Sequence, residues 1–114
     1  MSETVFRPWG SYTTVEITDK YQIKVLRVDP GKRLSLQLHN YREEYWQIAF
    51  GSGEVTVGEE VFSAKTADRF YIPVKTKHRL HNTGETELVI TELQLGESFS
   101  EEDIVRFDDD FGRK

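Results

Sequence analysis

Along the chain, apolar residues recur chiefly with period two, in short runs rich in β-branched and aromatic side chains. Gly, Pro, Asp and Asn break these runs roughly every eight to twelve residues, the spacing of strands joined by tight turns. The alternation predicts strands at 11–18, 22–28, 35–38, 44–50, 54–57, 60–63, 69–72, 78–82 and 88–95. Asp29-Pro30-Gly31, Gly51-Ser52-Gly53, Val57-Gly58-Glu59 and Asn82-Thr83-Gly84 supply turn chemistry, the last through residues that tolerate positive φ. Short strands without a long helix make an all-β sandwich or barrel. The tail departs from this pattern. Ser100 before Glu101-Glu102-Asp103 reads as the cap of a short helix, with Ile104 and Val105 pinning it to the barrel. Asp108-Asp109-Asp110 reads as a solvated acidic run, since it lacks the Asp-x-Asp-x-Asp-Gly frame and twelfth-position Glu of a calcium loop.

One predicted strand has two readings. In Leu34-Ser35-Leu36-Gln37-Leu38-His39 the three Leu share one face and Ser35, Gln37 and His39 the other. With the Leu face inward, Gln37 and His39 are simply exposed, which alternation by itself favours. The next strand shifts the balance. There Glu44 shares a side with Trp46, Ile48 and Phe50, so a carboxylate accompanies the bulkiest apolar set, and buried carboxylates require a partner or a metal. A third segment places His78 at the head of a strand after a Pro73 turn, flanked by Lys77 and Arg79. Brought together, the Gln37 amide oxygen, His39, Glu44 and His78 make a four-ligand divalent-cation site with room for water or substrate. The alternative is a hydrogen-bonded polar pocket without metal.

Composition narrows the classes. The 114 residues suffice for one domain, taken as 1–114. The absence of Cys removes disulfides, thiolate nucleophiles and Cys-type zinc sites, which leaves His39, His78, His81, carboxylates and amides as possible ligands. Fifteen Lys+Arg against twenty Asp+Glu give a net charge of −5. With no basic block longer than two residues, nucleic acid and anionic membrane are not expected as main partners, although a small anion can be bound locally. No run approaches the roughly 18 apolar residues of a membrane span, and the N-terminal residues form no apolar signal segment, so a cytoplasmic location is expected.

Specific motifs then appear. Gly31, Gln37, His39, Glu44 and Gly51 fit the first cupin motif at every spacing, and Pro73, His78 and Asn82 fit the second, with Lys75 and Ala67 where Gly is usual. A Gln-x-His pair with a Glu and a distant His is the phosphomannose isomerase variant. Four ordered segments carry a wider likeness: Arg7-Pro8-Trp9-Gly10-Ser11-Tyr12; Leu34-Ser35-Leu36-Gln37; Tyr71-Ile72-Pro73 with Thr76-Lys77-His78-Arg79-Leu80 and Asn82; and Asp103-Ile104-Val105-Arg106-Phe107 with Asp109 and Phe111-Gly112-Arg113. Together they resemble the C-terminal isomerase domain of type II mannose-6-phosphate isomerase/mannose-1-phosphate guanylyltransferase. The transferase's Gly-rich phosphate loop has no counterpart, so guanylyl transfer is not implied. The family run His-His-His-Arg-x-Glu-His-Trp stands here as His39-Asn40-Tyr41-Arg42-Glu43-Glu44-Tyr45-Trp46, with three auxiliary histidines replaced.

The resemblance implies a cupin jelly-roll barrel holding one divalent cation on Gln37, His39, Glu44 and His78, with zinc first and manganese, iron, cobalt or nickel open. It implies interconversion of mannose 6-phosphate and fructose 6-phosphate through a cis-enediol. Arg42, Lys77 and Arg79 are the candidates for catalysis and phosphate binding, and Trp46 for core or sugar-stacking wall. The base is open between Glu43 and a metal-bound hydroxide. Read from the residues alone, Arg42 is equally a partner of Glu43, and Lys77 and Arg79 are solvated strand-edge residues. Trp9 is expected to pack on the barrel and His81 to be a surface or packing residue. Other functions in view are a metal-binding cupin without isomerase activity and a cupin acting on another sugar phosphate or nucleotide sugar. If Gln37 and His39 face inward, Leu34, Leu36 and Leu38 face outward and need cover, which predicts a homodimer.

Overall fold

Each of the nine predicted alternating runs forms a strand, and two more strands join them. The computed structural model describes residues 3–112, so Arg113 of the closing segment lies outside the described residues. The strands are β1 (Glu3–Arg7), β2 (Gly10–Ile17), β3 (Tyr21–Val28), β4 (Leu36–Leu38), β5 (Arg42–Phe50), β6 (Ser52–Val57), β7 (Glu60–Lys65), β8 (Arg69–Ile72), β9 (His78–His81), β10 (Leu88–Gly96) and β11 (Val105–Asp108). They form two antiparallel sheets in the orders β1-β2-β3-β10-β5-β8 and β11-β4-β9-β6-β7, a jelly roll.

The two unpredicted strands lie at sheet edges, where burial imposes no alternation. β1 is exposed along nearly all its length and is fixed by its hairpin register with β2, from Glu3↔Thr14 to Arg7↔Gly10. β11 replaces the expected helix. Ser100 does cap a turn, its Oγ accepting from the Glu102 N–H at 3.1 Å and its carbonyl from the Asp103 N–H at 3.1 Å. After that single turn the chain extends along the open edge of β4, Val105 opposite Leu38 and Arg106 opposite Gln37, so edge pairing overrides local helix preference. The acidic run is also not simply solvated: Asp110 takes a bidentate bond from Arg33 at 2.7 and 2.8 Å, Asp108 pairs with Arg79, and Asp109 is buried.

Register divides the barrel interior into two ends. Across β3, β10 and β5 the inward rungs are Leu26–Ile90–Ile48 at one end and Lys24–Glu92–Trp46 and Gln22–Gln94–Glu44 at the other. The apolar end meets Val55, Ala64 and Leu80 of the second sheet, with Trp9 and Leu34 completing the core. Each such buried side chain stabilises the fold by about 1.5–3 kcal/mol, while the polar rungs are available for chemistry. Asn82 staples the sheets: wholly buried, its Nδ2 donates to the Val28 and Thr86 carbonyls, both at 2.8 Å, and its Oδ1 accepts from the Gly84 N–H at 2.9 Å. That turn works through the Asn82 side chain and not through positive φ. Gly51, by contrast, needs its conformation: φ is +95°, and a Cβ there would lie 2.7 Å from the Glu87 carbonyl oxygen. Ala67 (φ 80°) and Lys75 (φ 59°), the two departures from motif glycines, keep the left-handed backbone nonetheless. No helix among the described residues is long and apolar enough to cross a membrane.

Candidate metal centre

The ligand candidates converge at the polar end from three strands and their margins. β5 alternates inward at Arg42, Glu44, Trp46 and Ile48, all buried. Phe50 was expected on that face but is exposed, because a register shift between Val89 and Ile90 turns the end of β5 outward. Gln37 of β4 lies opposite His78 of β9 and lines the same cavity as His39, so the polar face of that segment points inward. Leu36 and Leu38 are half-buried on the outside, whereas Leu34 lies before the strand proper and is buried in the core, its N–H bonded to the Leu80 carbonyl at 3.0 Å. The expectation of three outward Leu is therefore corrected for Leu34.

The donor atoms of His39, Glu44 and His78 all lie within 4.8 Å of one another, and all three residues are buried. His39 Nδ1 is 2.7 Å from the Asp103 carbonyl oxygen and His78 Nδ1 is 3.0 Å from that of Thr76. A carbonyl can only accept, so each Nδ1 carries a proton, and each Nε2 is turned toward Glu44, 3.3 Å from Oε2 for His39 and 3.8 Å from Oε1 for His78. There the neutral ring has its lone pair to offer a cation, and the protonated ring donates to the carboxylate. Burial pushes the His78 pKa down, which holds the ring in the neutral form a cation requires. Burial acts to raise the Glu44 pKa, but a hydrogen bond from His39, the positive charge of the His78 and His39 imidazoles in their protonated form and the Trp46 N–H outweigh it and hold this carboxyl below the usual range. Two oriented imidazoles, a carboxylate and the nearby Gln37 amide fit a borderline divalent cation, and this donor set does not select zinc sharply from its neighbours.

Behind the ligands stands a hydrogen-bonded shell. Trp46 Nε1 donates to Glu44 Oε1 at 2.8 Å, and Gln94 Nε2 donates to Glu44 Oε2 at 3.2 Å and also to Glu92. Gln22 Nε2 closes the chain on Gln94 Oε1 at 2.6 Å. Glu92, buried and beside the Glu44 charge, has its pKa pushed up to about 8, with Lys24 opposing. Near neutral pH it is thus mainly protonated, one rung away from the ionised Glu44.

These groups face a cavity of about 440 Å³ whose cationic lining is Arg7, Lys24, Arg42 and Arg106. Arg42 is where the sequence places it: 3% exposed, with Nη1 on the Ser100 carbonyl at 2.9 Å and Nε 3.7 Å from Glu44 Oε2. Its expected alternative partner, Glu43, points to the other face of β5, where it accepts from the Tyr45 hydroxyl at 3.0 Å. Lys77 and Arg79 are corrections. Alternation about the inward His78 turns both outside the cavity: Lys77 Nζ sits 4.2 Å over the Phe107 ring, and Arg79 bonds the Leu34 carbonyl at 2.8 Å and Asp108 at 3.0 Å. His81 is likewise outward, 3.6 Å from Glu54. Sequence reasoning missed Lys24, Glu92 and Gln94, although the signal was present: in β3 and β10 the side shared with the core residues also carries Gln22, Lys24, Glu92 and Gln94. The positions of the three replaced histidines are informative too. Tyr41 and Tyr45 are exposed, Asn40 is tied by its N–H to Asp103, and none of them lines the cavity.

Comparison with known proteins decides the family. The sequence model for the mannose-6-phosphate isomerase C-terminal domain matches residues 1–109. The chain belongs to this family. Its relatives include the xanthan biosynthesis protein XanB of Xanthomonas campestris, 44% identical over 96% of this chain and 23% of that protein. Mannose-1-phosphate guanylyltransferase ManC of Salmonella typhimurium is 38% identical over 99% of this chain and 24% of that protein. The chain thus spans about a quarter of the length of the curated relatives it matches. Among solved structures, the capsular polysaccharide assembling protein CapF of Staphylococcus aureus superposes with a TM-score of 0.79 at 20% identity, over 95% of this chain and 32% of that one. The Cnp3 cupin domain of Schizosaccharomyces pombe gives 0.73 at 16%, over 75% and 64%. These likenesses show that this chain has the cupin fold.

Proposed function

We propose that this cupin domain interconverts mannose 6-phosphate and fructose 6-phosphate through a cis-enediol, with one divalent cation held by Gln37, His39, Glu44 and His78. The reading rests chiefly on the His39–Glu44–His78 cluster opening into a cavity lined by Lys24, Arg42 and Arg106, a charge pattern suited to a phosphorylated sugar. The cation, zinc in the first instance, supplies Lewis acidity to the sugar's carbonyl and hydroxyl oxygens. Arg42 offers positive charge to an oxygen as it becomes negative, from a guanidinium whose Nε has no hydrogen-bond partner among the described residues. Glu92, a cavity carboxyl outside the ligand set, is placed to carry the proton between C2 and C1 in its ionised form, which gains population as pH rises toward about 8, the role Glu43 cannot fill from the outer face. Trp46 holds Glu44 by its N–H and walls the cavity with its ring.

Loss of three family histidines would favour a binding module without turnover if those positions lined the cavity, and they lie outside it. Incubating purified protein with mannose 6-phosphate and, in turn, zinc, manganese, iron, cobalt and nickel is expected to yield fructose 6-phosphate. No product above a Gln37→Ala/His39→Ala control with any of these metals would defeat the proposal.

A further inference from the structure

The segment 100–104 crosses the polar end of the barrel, and three of its groups each hold a cavity residue. The Asp103 carbonyl takes His39 at 2.7 Å, the Ser100 carbonyl takes Arg42 at 2.9 Å, and the Glu101 carboxylate takes Lys24 Nζ at 2.7 Å. The third contact differs in kind. The first two are backbone oxygens fixed by the chain, whereas Glu101 is a side chain 61% exposed that reaches in to a lysine 7% exposed. Lys24 cannot follow it outward: it is an inward residue in the middle of β3, its ammonium 4.3 Å from the Tyr12 ring centroid. An ammonium so placed requires an anion, and among the described residues Glu101 is the carboxylate in ion-pair contact with it. Arg7, Arg42 and Arg106 join Lys24 in the lining of the same cavity, against the carboxylates Glu44, Glu92 and Glu101, so cationic groups outnumber anionic ones there.

We propose that Lys24 is the anchor for a phosphoryl dianion of the ligand, and that Glu101 is a built-in occupant which holds the anchor until that dianion displaces it. The proposal deepens the sugar-phosphate reading and rests on it. Exchange favours the ligand because a mostly exposed carboxylate returns to water at little cost, whereas a phosphoryl group brings about two charges and three acceptor oxygens to a buried cation. Position agrees. The Lys24–Glu92–Trp46 rung is one inward step from Gln22–Gln94–Glu44, about 7 Å along the strands, and Lys24 stands two strand spacings of about 4.8 Å from β5. With the lysine side chain covering part of that separation, about the length of one hexose remains between anchor and ligand cluster.

Calorimetric titration of the full chain with inorganic phosphate and, separately, mannose 6-phosphate tests this without relying on turnover. Glu101→Gln is expected to bind both roughly tenfold more tightly than wild type, because the competing charge is gone. Lys24→Gln is expected to bind both at least roughly tenfold more weakly, and the double variant no more tightly than Lys24→Gln. The titrant bound more tightly by wild type identifies the source of the phosphoryl group. Unchanged or weakened binding by Glu101→Gln overturns the proposal, as does wild-type affinity in Lys24→Gln. Should Lys24→Gln fail to fold, the surface variant Glu101→Gln decides alone. A chain that shows the expected binding pattern but makes no fructose 6-phosphate loses the isomerase reading and keeps the anchor. An active isomerase indifferent to both substitutions loses only the anchor.

Discussion

Glu92 and Glu44 sit on adjacent inward rungs of one barrel and titrate in opposite directions. The folded chain raises the Glu92 pKa to about 8, mainly by burial, so the folded state retains a proton the unfolded state releases. Its contribution to stability is complete below the ordinary carboxylate range and is lost as pH rises through about 8. Glu44, held low by its imidazole partners, contributes above the ordinary range, and that contribution is lost as pH falls below it. Glu92→Gln copies the neutral form. Thermal melts should show its stability relative to wild type rising between pH 5 and pH 9, by on the order of 1–3 kcal/mol; a pH-independent difference would contradict the assignment. Ala67 and Lys75 give a second expectation. Each holds a left-handed backbone that costs an L-residue about 1–2 kcal/mol, partly offset by the greater unfolded freedom of Gly, so Ala67→Gly and Lys75→Gly should each raise the stability measured by urea unfolding by about 0.5 kcal/mol. At single positions the sequence was legible where motif and alternation agreed, as for His39, Glu44, Arg42 and His78. It misled at Lys77 and Arg79, where adjacency to His78 in sequence suggested adjacency in the site. Neighbours on a strand point to opposite faces, and that geometry sends both outside.

The C-terminal elements show how tertiary pairing overrides a local signal. The Ser100 cap and its acidic neighbours read as a helix start, and the turn they make is real. Beyond that turn the path of the chain is decided by the unpaired edge of β4, which no local pattern reveals. Two substitutions separate the roles of this region. Asp103→Ala removes acceptors from the Asn40 and Tyr41 N–H groups, at 2.9 and 3.0 Å, and loosens the loop that carries His39 into Arg42. It should weaken divalent-metal binding roughly tenfold in a competition titration, the usual effect of losing a group that orients a ligand. Arg79→Ala should leave that affinity unchanged but cost about 2 kcal/mol, since it removes the guanidinium that ties Asp108 of β11 to the Leu34 carbonyl, with faster amide exchange across 105–108. Equal effects on metal affinity from the two variants would contradict this division. The nine alternating strands were readable because half-burial imposes period two. β1 escaped because an exposed edge strand has no such constraint.

For the molecule as a whole, charge and surface bear on what it meets. A chain of net charge −5 concentrates Arg7, Lys24, Arg42 and Arg106 around one cavity, so its global and local fields differ in sign where an anionic ligand enters. The outer face of the larger sheet is apolar instead. Tyr45 and Tyr71 stand exposed with ring centroids 4.9 Å apart, beside half-buried Ile23 and Leu93. With Leu34 withdrawn into the core, this face and the outward sides of Leu36 and Leu38 carry the argument for a homodimer. Sedimentation at micromolar concentration should give twice the chain mass, and a monomer would contradict it. The reaction itself is tested most directly in deuterium oxide. Metal-loaded protein incubated with mannose 6-phosphate should form fructose 6-phosphate carrying solvent deuterium at C1, the mark of proton transfer through an enediol, and His39→Ala should abolish it. Absence of fructose 6-phosphate from a protein shown to hold one divalent cation per chain would contradict the isomerase assignment.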